Sequence, residues 1–122
     1  MSNPVNWFEI PVTNMARARA FYEAVFALTL TRIDTPGNEM RGFPSSMEHY
    51  GASGCLTQAD GPLGPGPGTQ VYFSCTDCAV EAARVAGRGG KLLQAKTSIG
   101  PHGFYALVQD TEGNRIGLHS MQ

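Results

Sequence analysis

The sequence predicts an α+β fold of two tandem βαβββ modules that together form a cupped mixed sheet. Three observations carry that expectation. The order strand, helix, three strands can be read twice along the 122 residues. Between the two readings lies Asp60-Gly-Pro-Leu-Gly-Pro-Gly-Pro-Gly68, where neither a helix nor a sheet ladder can continue. The halves also register on one another at a constant spacing of 63, from Trp7 to Gln70, Asn14 to Asp77 and Gly54 to Gly117. The expectation is therefore one domain, 1–122, made of repeats over about 4–60 and 69–120 joined by a connector at 61–68.

Val5 to Val12 alternates as a strand, with Phe8, Ile10 and Val12 on one face and Trp7 and Glu9 on the other. Asn14 suits a helix N-cap, and Ala18, Phe21, Tyr22, Val25 and Phe26 then form an apolar stripe expected to face a sheet. Arg17 and Arg19 fall off that stripe, on a solvated face. Leu28 to Asp34 reads as the second strand, Thr35 to Asn38 as a turn, and Glu39 to Phe43 and Ser53 to Ala59 as the third and fourth. His49 and Tyr50 fall in a polar loop between them. The second half repeats the order with strand Gln70 to Cys75, cap Asp77, and a helix whose small face carries Ala79, Ala82, Ala83 and Ala86. Gly87 to Gly90 ends that helix, and strands follow near Lys91 to Lys96, Phe104 to Gln109 and Asn114 to His119. Asp110 to Asn114 makes the last turn.

Composition narrows the function classes. Nine Lys+Arg against ten Asp+Glu give a formal net charge of -1, without the electropositive surface that non-specific nucleic-acid binding requires. No apolar run approaches the roughly 20 residues that span a bilayer, so the expectation is a cytoplasmic protein with no membrane partner. Three cysteines make an odd count that argues against a disulfide framework. Cys75-Thr-Asp-Cys78 has C-x-x-C spacing, but no second ligand pair completes a zinc site, and the simpler reading is a buried small side chain plus a first-turn helix residue.

The tandem βαβββ order, Phe21-Tyr22 on the first helix and Asp110-Thr-Glu-Gly-Asn-Arg-Ile-Gly-Leu118 near the end resemble the vicinal-oxygen-chelate superfamily. This superfamily includes glyoxalase I, extradiol dioxygenases, fosfomycin-resistance enzymes and bleomycin-binding proteins. Trp7-Phe-Glu9, Gly89-Gly-Lys91, Ile99-Gly-Pro-His-Gly-Phe104 and Gly117-Leu-His-Ser120 are similar to its glyoxalase-like members. The resemblance covers the whole chain and implies the glyoxalase/bleomycin-resistance/dioxygenase fold, a small-molecule partner and a homodimer. It also implies where a divalent metal would bind, one ligand from the first and one from the last strand of each half. Those positions read as Trp7, Gly54, Gln70 and Gly117, which lack suitable donors, so the expectation is no metal and no other cofactor. A one-residue slip would bring in Glu9 or His119, leaving open an alternative site from Glu9, Gln70, His119 and water.

Side chains expected to line the cup are Trp7, Glu9, Phe43, Leu56, Gln70, Tyr72 and Arg115, a mixture of aromatic area and a few polar groups that suits a small organic ligand. Trp7 and Tyr72 can equally pack between halves or chains. Glu9 in apolar surroundings is a candidate general base, or a structural partner of Arg115. His119 is a second catalytic candidate, with a hydrogen-bonding role as its alternative, and His102 lies in a rim turn that could act as a lid. Two function classes follow: a metal-free ligand-binding protein, or a glyoxalase-type lyase or isomerase acting on a small oxygenated substrate.

Overall fold

The computed structural model describes residues 3–34, 39–46, 48, 50–58 and 68–122. It divides into two compact units, one of Trp7–Thr69 and one of Gln70–Gln122 together with Met1–Asn6. The N-terminal half carries β1 (Val5–Val12), α1 (Met15–Phe26), β2 (Thr31–Ile33), β3 (Met40–Gly42) and β4 (Ser53–Gln58). The C-terminal half carries β5 (Gln70–Ser74), α2 (Cys78–Val85), β6 (Lys91–Ser98), β7 (Phe104–Gln109) and β8 (Arg115–Ser120). Each half is a βαβββ unit with a four-stranded mixed sheet, ordered β2-β3-β4-β1 in the first and β5-β8-β7-β6 in the second. The turn at 35–38, His49 and the connector at 61–67 lie outside the described residues.

In the N-terminal half, the Asn14 side chain accepts from the Arg17 backbone N–H at 3.0 Å and starts α1. Ala27 ends it in the left-handed region at φ 52°, a conformation that disfavours a β-carbon. Only one edge of the expected stripe packs inward. Met15, with Ala18 and Tyr22, joins Leu30, Leu56, Ile10 and Val12 in the core, whereas Phe21, Val25 and Phe26 stand 59%, 58% and 60% exposed. The second strand is also shorter than its apolar pattern suggests. Leu28 N–H bonds the Glu23 carbonyl and Leu30 N–H bonds Glu23 Oε2, so these residues finish the helix end instead of pairing in the sheet. Glu23 further pairs with Arg19 at 3.2 Å, which takes Arg19 out of the purely solvated role its position suggested.

In the C-terminal half, Asp77 caps α2 by accepting from Ala79 N–H and receives Lys96 Nζ at 2.9 Å. The face of α2 turned to the sheet is Cys78, Ala82 and Val85, at i, i+4 and i+7, which corrects the alanine face expected from sequence. Cys78 sits there because its backbone N–H bonds Ser120 Oγ at 3.0 Å, tying the first turn of the helix to the end of β8. Phe73, Ala106, Val108, Ile116 and Leu118 complete this core.

Two outcomes follow from these ends. Ala27→Gly should raise stability by about 0.5–1 kcal/mol in urea denaturation, because glycine adopts the left-handed conformation without steric penalty. The carboxyls of Glu23, Asp77 and Asp110 lie below their ordinary range, held mainly by the Leu30 N–H, by Lys96 and by Asn114 respectively. A lowered folded-state value means stability present above the unfolded-state pKa and lost as pH falls through the folded one. Denaturation midpoints should therefore drop on acidification below the carboxylate range, and Asp77→Asn should flatten part of that drop.

Candidate functional site

In each half the last strand runs parallel beside the first, and cross-strand partners share a face. In the N-terminal half, Phe8 pairs with Gly54 and Ile10 with Leu56 on the side covered by α1. Trp7 pairs with Ser53 and Glu9 with Cys55 on the helix-free side, so the assignment of Trp7 and Glu9 to that side holds. Trp7 Nε1 donates to Glu9 Oε2 at 3.2 Å. Three assignments are corrected. Leu56 is fully buried against Met15 and Leu30, and Phe43 meets Phe8 and Tyr22 ring to ring, so both belong to the helix-covered core. Gly54 lies on that side too, where an added β-carbon would stand 2.5 Å from the Phe8 ring. For Leu56 and Gly54 the repeat spacing is the cause. It is 63 on the first strands and caps but 62 on the last strands, where Leu56 matches Leu118, and one residue changes the face.

In the C-terminal half, Phe73 and Leu118 face the helix, and Gln70, Tyr72, Arg115, Gly117 and His119 share the helix-free side as expected. The Tyr72 ring lies flat over Gly117, where a β-carbon would fall 2.1 Å from the ring. Two residues earlier on the same strands, Arg115 Nε donates to Gln70 Oε1 at 2.8 Å and Gln70 Nε2 donates to Tyr72 Oη at 2.9 Å. Gln70 and Tyr72 are each 9% exposed, so their polar atoms need these partners. The antiparallel neighbours continue the row, with Gln109 beside Arg115 and Lys91 beside Gln109. Tyr105 and Leu107 share this face, opposite His119 and Gly117. Sequence reasoning missed Lys91, Gln109, Tyr105 and Leu107, although strict alternation back from Arg115 through the last turn would have found three of them.

His119 stands apart from Arg115 and Gln70, four residues beyond Arg115 or about 13 Å at the usual strand rise. Its Nε2 meets the His102 carbonyl oxygen at 2.7 Å and therefore carries the proton. Its Nδ1 then accepts from Asn6 Nδ2 at 3.2 Å. With both nitrogens engaged, His119 holds the turn at Gly100–His102 against β8. Asn6 carried no signal in the sequence, since its partner lies at the opposite end of the chain.

At Gln70 and Gly117 the side-chain donors are engaged or missing. Both ends of the Gln70 amide are engaged, and the group on its oxygen is a guanidinium, a fixed cation where a metal would need the acceptor. Gly117 offers no side chain. In the other half, burial and then the charge of Glu9 push the Cys55 thiol up. The C-x-x-C pair is equally quiet: Cys78 is fully buried, and burial followed by the charge of Glu81 pushes Cys75 up to about 11. Both thiols are free.

Gly117→Ala should be destabilising by about 1–3 kcal/mol, because its methyl group must displace the Tyr72 ring and with it the Gln70 bond. Chemical denaturation measures the loss, and a near-neutral value would show that the ring does not need the glycine.

Comparisons with known proteins agree with this architecture. Residues 5–118 match the model of the Glyoxalase/Bleomycin resistance protein/Dioxygenase superfamily. A glyoxylase-like domain-containing protein of Didymella fabae is 30% identical over 117 residues, covering 90% of this chain and 88% of that one. A relative from Mycobacterium bovis is 30% identical over 112 residues, and this chain spans only 40% of its length. Among solved structures, a protein of Bacillus halodurans superposes with a TM-score of 0.75 at 14% identity, covering 100% of this chain and 96% of that one. The methylmalonyl-CoA epimerase of Streptomyces coelicolor, in complex with 2-nitronate-propionyl-CoA, superposes with a TM-score of 0.70 at 14% identity, covering 98% and 95%. At such identities the superpositions establish the fold alone. With the family match spanning nearly all of the sequence, the chain belongs to the Glyoxalase/Bleomycin resistance protein/Dioxygenase superfamily.

Proposed function

We propose that this protein is a metal-independent member of its superfamily that binds a small organic ligand on the helix-free side of its C-terminal half. The observation that carries the reading is the bond from Arg115 to Gln70, which commits the glutamine of the first strand to a protein cation. A buried glutamine and tyrosine fixed in one hydrogen-bonded chain, with Leu107 beside them, supply the apolar surface and few oriented polar groups that small-molecule sites use. Among the described residues, no helix is long and apolar enough to cross a membrane, and the thiols are free, in keeping with a cytoplasmic protein. The exposed Phe21, Val25 and Phe26 on α1 favour self-association, and a homodimer is part of this proposal.

A second reading, a lyase or isomerase of the glyoxalase type, rests on Glu9. Its carboxylate lies on the helix-free side of the N-terminal half and accepts from the Trp7 indole, which would hold a general base in one orientation.

A thermal-shift screen of small organic molecules, run with elemental analysis of the purified protein, separates these readings. The expected result is stabilisation by an organic ligand in protein free of stoichiometric metal, with no further shift on adding Ni²⁺, Zn²⁺ or Mn²⁺. Stoichiometric metal would overturn the metal-independent reading. Turnover of a stabilising ligand, lost in Glu9→Gln with folding retained, would establish the second one.

A further inference from the structure

We propose that the anchor for this ligand is an oxyanion site at one end of the helix-free side of the C-terminal half, and that the ligand is a small organic carboxylate received by Arg115. The inference rests on the ligand-binding reading above and adds the chemical class.

Four strands meet in a row at this end of the sheet, contributing Lys91 from β6, Gln109 from β7, Arg115 from β8 and Gln70 from β5. The row holds two cations and two carboxamides. It contains no carboxylate. Among the described residues, the ion pairs engage Arg19, Arg32, Arg41 and Lys96, and none takes Arg115 or Lys91. The acids nearest in sequence are already committed: Asp110 accepts from the backbone N–H groups of Glu112 and Asn114 and from the Asn114 side chain, and Glu112 accepts from Thr111.

Arg115 is also held, as an exposed arginine with free rotamers would not be. Its Nε–H is spent on Gln70, a buried residue itself fixed by Tyr72, so the plane of the guanidinium is set from below. The two terminal nitrogens make no hydrogen bond with the described residues. They form an in-plane pair of donors whose spacing matches the two oxygens of a carboxylate. Gln70 is a positioning residue here, acting on the ligand through Arg115. The exposed Lys91 adds a second positive charge on the same side, across Gln109.

The test compares acids with their uncharged esters on the full chain. Benzoate and hexanoate, against methyl benzoate and methyl hexanoate, are titrated into ¹⁵N-labelled protein while the Arg115 Nε–H signal is followed by NMR. The acids are expected to shift that signal and to bind about tenfold or more tightly than the esters, a preference that weakens as salt is raised. Arg115→Met should abolish the preference, and Arg115→Lys, which keeps the charge but not the fork, should retain only part of it. Lys91→Met leaves the Gln70 contact untouched and should reduce acid affinity by a smaller factor, which keeps the test decisive if the Arg115 variants fold poorly. Esters that bind as well as acids, or a preference that survives in Arg115→Met, would overturn the carboxylate assignment while leaving a ligand site in place. Failure of both acids and esters to bind would overturn the carboxylate assignment, while the ligand-binding reading stands or falls on the thermal-shift screen.

Discussion

The parallel pairing of first and last strand within each half is the constraint on which the site depends. Parallel neighbours cannot be joined by a tight turn, so the helix and the two intervening strands must be crossed before β4 meets β1 or β8 meets β5. Once that register is set, each side chain on four strands is assigned to the helix-covered core or to the side free of helix. Glu9 shares a side with Cys55 and not with Leu56, and Arg115 reaches Gln70, for this reason alone.

Each half resolves the close approach of these central strands with an aromatic ring and a glycine, but on opposite sides. Phe8 lies against Gly54 within the core under α1, where it also meets Phe43. Tyr72 lies over Gly117 on the helix-free side, and its hydroxyl end receives Gln70. The first arrangement is purely packing. The second brings a phenol, a carboxamide and a guanidinium into one chain, and burial makes that chain obligatory, since a polar group withdrawn from water without a partner costs about 1–3 kcal/mol. The hydrogen-bonded chain of polar side chains therefore lies in the half whose aromatic ring carries a polar end.

In the C-terminal half a cation of the protein itself sits beside the first strand. In each half the side chains of the first and last strands stand side by side. In this chain the cation is part of the protein, as Arg115, and the donor opposite it has already turned its oxygen toward the guanidinium. The guanidinium forms no ion pair among the described residues.

The sequence by itself determined what local chemistry controls. Asn14 and Asp77 cap the helices as their side chains dictate, β1 spans the residues its alternation marks, and the helix-free side of β5 and β8 follows from period two. The tertiary structure decided what depends on partners distant in the chain. A one-residue difference in repeat spacing moved Leu56 into the core, because strand register is set by pairing across the sheet and not by the strand's own residues. The stripe on α1 was legible as apolar, yet only the sheet could choose which edge of it to cover. Asn6 and His119 carry no mutual signal across 113 residues of sequence, and their contact exists only because the fold brings the two ends of the chain together.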